Sequence, residues 1–306
     1  MGNSPSLPTD ILMARMVNMD VEQLRVIGEV NVFLRDIVKT IIDNRIYNML
    51  SKFMDADQVS RFLSLLTITE SVIGGSVAQA VVTPSIFIND TPGDLNIFVP
   101  EDSLDGWETF LHEEMGYYSL LSKLKYTSLI KNIIVLEFGG EGKEGPPKIM
   151  VCEASGSSSL VPILASPFTS QMNCFTADHV YCLHPRLTPN LTAVEIPAPP
   201  GNKRIKKEQT MYIEKLRKRG VEMLDLDAQD TLCAKDTFCA AQLRFLGMKT
   251  LGRQRNAGDA VSMVCWNDDG NLGDLLGQKP LRFWLGGREK GYVCKHGDHA
   301  TRLLGL

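Results

Sequence analysis

Nowhere among its 306 residues does the chain hold about eighteen consecutive apolar side chains, so no stretch reads as a membrane-spanning helix. The N-terminus, Met1-Gly2-Asn3-Ser4-Pro5-Ser6, lacks the basic start and apolar middle of a secretory signal. Charge of one sign is scarce too. With 32 Lys and Arg against 36 Asp and Glu, the net charge of −4 exerts no global pull toward nucleic acid, although a local basic face remains open. Neither a membrane nor a nucleic acid is therefore an expected partner. Cysteine is sparse: seven residues, an odd number scattered over a long chain, read as reduced thiols of a cytoplasmic or nuclear protein, not as a disulfide framework. No Gly-x-Ser-x-Gly elbow is present, and the run Ser155-Gly156-Ser157-Ser158-Ser159 reads as a turn. Late cysteines and histidines (Cys233, Cys239, Cys265, Cys294, His296, His299) match no zinc-finger spacing, so buried thiols and surface histidines are expected there. No internal repeat is visible.

What is present is ordinary globular material, 44% hydrophobic and 22% charged, enough for one or two domains with a large core. Residues 6–54 read as short helices. Pro8 stands at a helix start, Asp20 is a candidate N-cap, and Val30, Phe33, Leu34, Ile37, Val38, Ile41 and Ile42 repeat with helical periodicity. Residues 60–200 alternate helix-like and strand-like segments, an α/β or α+β core. Strands are expected at Leu95–Val99, Ile130–Phe138 and Lys148–Cys152. Helices are expected from Val77 to Val82, Ser103 to Glu114 and Ser119 to Leu124. The run Pro197-Ala198-Pro199-Pro200-Gly201 marks a linker, and residues 201–306 form a C-terminal extension. That extension opens with a basic helix, expected from Tyr212 to Leu224. Its cations suit either phosphate binding or a solvated face balanced by Glu208, Glu214 and Glu222.

Chemistry concentrates between Val72 and Pro100. Gly74-Gly75-Ser76 follows an apolar lead-in, and eighteen residues after Ser76, Asp94 opens the alternating run Asp94-Leu95-Asn96-Ile97-Phe98-Val99. A backbone nest with a hydroxyl, facing acids on a strand, is one way to hold a nucleoside triphosphate and its metal. The same residues also suit a plain strand-to-helix turn with Ser76 as N-cap. The spacing resembles the nucleotidyltransferase domain of the DNA polymerase beta-like superfamily. Gly75-Ser76-Val77-Ala78, Asp94 through Pro100, the segment Ser166 to Thr176 and the turn His184 to Thr188 together resemble a set of basidiomycete fungal proteins carrying such a domain.

The resemblance implies that Gly74, Gly75, Ser76 and Asn96 line a nucleotide site, that Asp94 is a catalytic and metal-binding carboxylate, and that Mg2+ is the cofactor if the site is active. Asn96 stands where the pattern has its second carboxylate. The third position falls on the strand near Lys148 to Glu153, at Met150 or, in another register, at Glu153. A neutral amide in place of a carboxylate weakens the attraction that must overcome dehydration of a hard cation.

Residues 7–38 carry a second resemblance. Leu7, Pro8, Ile11, Leu12, Met19, Leu24, Val30, Phe33, Arg35 and Val38 follow the pattern of an F-box. The F-box implies a Skp-type adaptor of a cullin-RING ubiquitin ligase as partner, held through apolar anchors at Leu7, Pro8, Ile11 and Leu12. The expected fold is α+β: an F-box-like helical segment, then a nucleotidyltransferase-like mixed sheet with flanking helices, then an irregular extension. The expected function is an interaction protein with a degenerate, non-catalytic nucleotidyltransferase-like domain. The alternative is an active metal-dependent nucleotidyltransferase using Ser76 and Asp94.

Overall fold

Polar residues placed just ahead of apolar runs set the helix starts. The Asp20 carboxylate accepts from the Gln23 amide while the Gln23 side chain accepts from the Asp20 amide, a reciprocal cap that opens α2 (Val21–Gly28). Asn31 caps α3 (Val32–Leu50) through Leu34, and Asp55 and Gln58 bracket the start of α4 (Ala56–Ile68). The structure is a computed structural model that describes residues 8–224, apart from 89, 122–128, 140–147, 165, 186 and 196–202, together with three later strands at 244–246, 262–265 and 281–283.

A helix α1 (Thr9–Met16) precedes α2. After α4, β1 (Val72–Gly74) runs directly into α5 (Gly75–Val82), and a 3-10 turn at Pro84–Phe87 leads to β2 (Asp94–Val99). Next come α6 (Leu104–Glu113), β3 (Tyr117–Leu121), β4 (Ile130–Phe138), β5 (Lys148–Ala154) and the single turn α7 (Val161–Leu164). A hairpin follows, β6 (Asn173–Phe175) and β7 (His179–Cys182), then β8 (Thr192–Val194), α8 (Lys203–Lys218) and β9 (Glu222–Leu224). The remaining strands are β10 (Arg244–Leu246), β11 (Ser262–Cys265) and β12 (Leu281–Phe283).

Eight strands form one sheet in the order β11-β7-β6-β1-β2-β5-β4-β3, with β10 and β12 paired separately and β8 paired to β9. Within the large sheet β2 and β5 run parallel and the other neighbours antiparallel, so the sheet is mixed and the class is α+β, as expected.

Period-two alternation decides which face is buried. Leu95, Ile97, Val99, Ile149, Val151, Ile134 and Leu136 are buried in one apolar cluster that also takes in Ile41, Ile42 and Ile46 of α3, Phe62 of α4 and Trp107 of α6. The core is therefore continuous between the N-terminal helices and the sheet. Buried polar groups are tied into it. The Trp107 indole donates to Thr69 Oγ1 (3.1 Å) and Ser71 Oγ (3.0 Å), and the Tyr117 hydroxyl to the Phe53 carbonyl (2.8 Å). Arg45 of α3 is buried and donates to the carbonyls of Val17, Met19 and Val81; burial holds its guanidinium down to about 10.

Two expected helices are corrected. Of the helix expected from Ser119 to Leu124, Ser119–Leu121 belong to β3, where pairing to β4 overrides a composition that fits either state, and residues 122–124 lie outside the described residues. The basic helix begins earlier, at Lys203, and stops at Lys218: Gly220 turns the chain with φ +80, and Glu222–Leu224 becomes a strand. Expected strands at Ile130–Phe138, Leu95–Val99 and Lys148–Cys152 are present, as are helices near Val77–Val82 and Ser103–Glu114. Among the described residues no helix is long and apolar enough to cross a membrane. The Pro197–Gly201 linker and the zinc-type residues Cys233, Cys239, Cys294, His296 and His299 lie outside the described residues.

Candidate functional site

The strand-to-helix turn from β1 into α5 places Gly74, Gly75 and Ser76 beside β2. Pairing sets Gly74 opposite Asn96, and Gly75 adopts φ +66. A Cβ on Gly75 would lie 2.3 Å from Asn96 Nδ2, and one on Gly74 would lie 2.6 Å from Phe98 Cε2 and 3.2 Å from Ile163 Cδ1. Both glycines are thus demanded by close packing of the turn against β2 and α7, and Gly75 by its backbone conformation as well.

The plain-turn reading of Ser76 needs one correction: the N-cap is Gly74, not Ser76. Ser76 lies within the first turn of α5 and its hydroxyl points to Asp94, with Oγ 3.4 Å from Oδ1. The other oxygen of Asp94, Oδ2, accepts from Asn96 Nδ2 at 3.0 Å, since residues two apart on a strand share a face. Both carboxylate oxygens have protein donors. Asn96 Oδ1 is buried and has no hydrogen-bond partner among the described residues.

Register settles which residue of β5 stands next to this pair. Asn96 lies opposite Met150 and Asp94 opposite Lys148, whereas Glu153 lies opposite Val99. Five residues along the strand, at about 3.3 Å each, put Glu153 roughly 16 Å from the Asp94 end. Its carboxylate is occupied there: Oε1 accepts from the Asp102 amide at 2.7 Å, Oε2 accepts from Asn132 Nδ2, and Lys131 Nζ is 3.8 Å away. The neighbour of Asn96 is thus a thioether. Lys148, beside Asp94, pairs with Glu137 of β4 at 2.6 Å.

Other elements close the surroundings. Cys152, buried on the same strand, has its thiol pushed up to about 12 by burial, aided by the negative charge of Asp94, so it stays protonated at neutral pH. Tyr212 of α8 stacks on Phe168 with ring centroids 5.1 Å apart. Its phenol is pushed up to about 12 by burial, with a further contribution from Asp94. Arg219, just past α8, donates to Asp90 Oδ2 at 2.6 and 3.0 Å and lies 4.3 Å over the Phe87 ring. The Arg219 guanidinium holds the Asp90 carboxyl below the usual carboxylate range. Asp90 and Arg219 are 129 residues apart, so no local pattern announces the pair.

The donor set does not suit a two-ion magnesium centre. Asp94 is the one carboxylate of the turn-and-strand cluster among the described residues, flanked by an amide and a thioether, and no group of three or more His, Cys, Asp or Glu side chains is placed to hold a metal ion among those residues. What the arrangement does instead is hold one half-buried carboxylate by hydrogen bonds from a hydroxyl and an amide.

The F-box-type positions divide by exposure. Leu7 lies outside the described residues; Pro8 and Ile11 are exposed, and Leu12 packs partly against the core. Around the turn between α2 and α3, Val26, Val30, Val32 and Phe33 are 50%, 68%, 65% and 52% exposed, an apolar group left in solvent. No family model matches the chain, and neither a curated protein nor a solved structure matches it.

Proposed function

We propose that this chain is an F-box-like interaction protein, docking through α1–α3 to a Skp-type adaptor of a cullin-RING ubiquitin ligase, with a degenerate nucleotidyltransferase-like body serving as a scaffold and not as a catalyst. The observation that carries the docking half is the exposure of Val26, Val30, Val32 and Phe33 together with Pro8 and Ile11. Apolar side chains left exposed along helices and the turn that joins them are the material of a partner interface. The non-catalytic half rests on Asp94, whose two oxygens already accept from Ser76 and Asn96 and whose strand neighbours supply no second acid.

Calorimetry with the full chain and the purified adaptor tests the first half. Micromolar or tighter association is expected, and Val30→Glu with Phe33→Glu is expected to weaken it at least a hundredfold without altering the melting temperature. No association at micromolar concentration would remove the adaptor reading. The rival, nucleotidyl transfer through Ser76 and Asp94, is tested with labelled nucleoside triphosphates, magnesium or manganese, and cell extract. Labelling that disappears in Asp94→Ala would establish the rival and refute the scaffold assignment.

A further inference from the structure

The helix α8 carries seven Lys and Arg within 16 residues against Glu208 and Glu214, a surplus of five positive charges in a chain whose net charge is −4. Glu222, which sequence reading adds to the balance, leaves the helix and lies in β9. Orientation follows from packing. Leu216 is buried, and Tyr212 and Ile213 pack with it against Phe168, Ile86 and Ala193; Gln209 is buried on the same side of the helix. Lys206, Lys207, Lys215, Arg217 and Lys218 are left exposed on the remaining arc.

Helix stability does not explain these cations. Lys215, Arg217 and Lys218 in the last turn complement the helix dipole, but Lys203, Arg204, Lys206 and Lys207 crowd the opening turns, where positive charge opposes the dipole and no acid is present in the first turn. Among the described residues Lys206, Lys207, Arg217 and Lys218 form no ion pair.

The kind of anion follows from what else the face holds. The apolar stripe of α8 is already spent against the Phe168 cluster, so it cannot enter a lipid interface, which takes an apolar helix face. Met211 is the one large apolar side chain exposed on α8 among the described residues, too little for the desolvated anchor of a protein interface. A polar, strongly positive surface about 24 Å long, at about 1.5 Å rise per residue, matches a regularly spaced line of phosphates. We propose that the solvent face of α8 binds the phosphodiester backbone of nucleic acid without reading its sequence, independently of the adaptor and of any chemistry at Asp94.

Fluorescence anisotropy of the full chain with a labelled 20-base-pair DNA duplex and the matching single strand, titrated between 50 and 200 mM salt, tests this. Either form should bind, with log K falling linearly against log salt at about 0.9 per duplex phosphate engaged or about 0.7 per single-strand phosphate. Lys207→Glu with Lys218→Glu should weaken binding at 50 mM salt at least tenfold and lower the duplex slope by about 2. The milder Lys207→Gln with Lys218→Gln should lower the slope in the same direction if the reversal disturbs folding. Lys52→Glu, at an exposed lysine in the turn after α3, should leave binding as it was. Unchanged binding in both α8 variants, or equal α8-dependent binding of polyglutamate or of phosphatidylserine vesicles, would overturn the assignment.

Discussion

Single residues decide the chemistry around Asp94. Asn96 acts as an internal donor, satisfying one oxygen of Asp94 and filling the space that a Cβ at Gly75 would need. Replacing it with a second carboxylate should therefore change what the site can bind. In a thermal-shift titration Asn96→Asp should be stabilised by magnesium or manganese by several degrees, the effect of about 2.7 kcal/mol at a hundredfold excess over Kd, while the wild type should not respond. A wild-type response as large as the variant's would show that Asp94 needs no second acid. Gly75→Ala should cost about 1–3 kcal/mol in urea unfolding, because φ +66 and the approach of Asn96 both oppose a side chain. Arg45→Met removes the donor for three carbonyls, those of Val17, Met19 and Val81, and should lower stability by about 2–4 kcal/mol in the same assay.

At the scale of elements, local signals carried unequal weight. The reciprocal cap of Asp20 and Gln23 and the β-branched run Ile130–Phe138 are decided by neighbours in sequence, and both elements stand where the residues place them. Strands of three residues, such as β6 and β8, are too short for alternation to show, and they exist because β7 and β9 pair with them. The stretch from Tyr117 likewise becomes β3 through pairing with β4. For α8 the sequence shows the cations but not the end of the helix, because the stop at Gly220 is followed by a strand whose partner lies near Thr192. Leu216 anchors that helix. Leu216→Ala should cost about 2–4 kcal/mol and raise hydrogen exchange along α8 before other helices, a selective loss that uniform destabilisation would contradict.

For the molecule as a whole, the N-terminal helices and the sheet share one core. The buried α3 side chains Ile37, Val38, Ile41, Ile42, Ile46 and Leu50 contribute about 1.5–3 kcal/mol each in gross burial, together comparable to the net stability of a typical domain. A chain beginning at residue 55 should therefore fail to fold, and circular dichroism should show no cooperative melt. A sharp transition in that truncated chain would mean the sheet stands without α3.

Periodicity, caps and composition determined most of the longer helices and strands and the mixed α+β character of the chain, because those signals act between residues a few positions apart. They also placed Asn96 two residues after Asp94 on one strand, and so on the same face. Pairing across the sheet decided the rest. Whether Met150 or Glu153 faces Asn96 depends on a three-residue difference in the register of β5 against β2, and α3, Arg219 and α8 meet their partners only through contacts dozens to over a hundred residues apart.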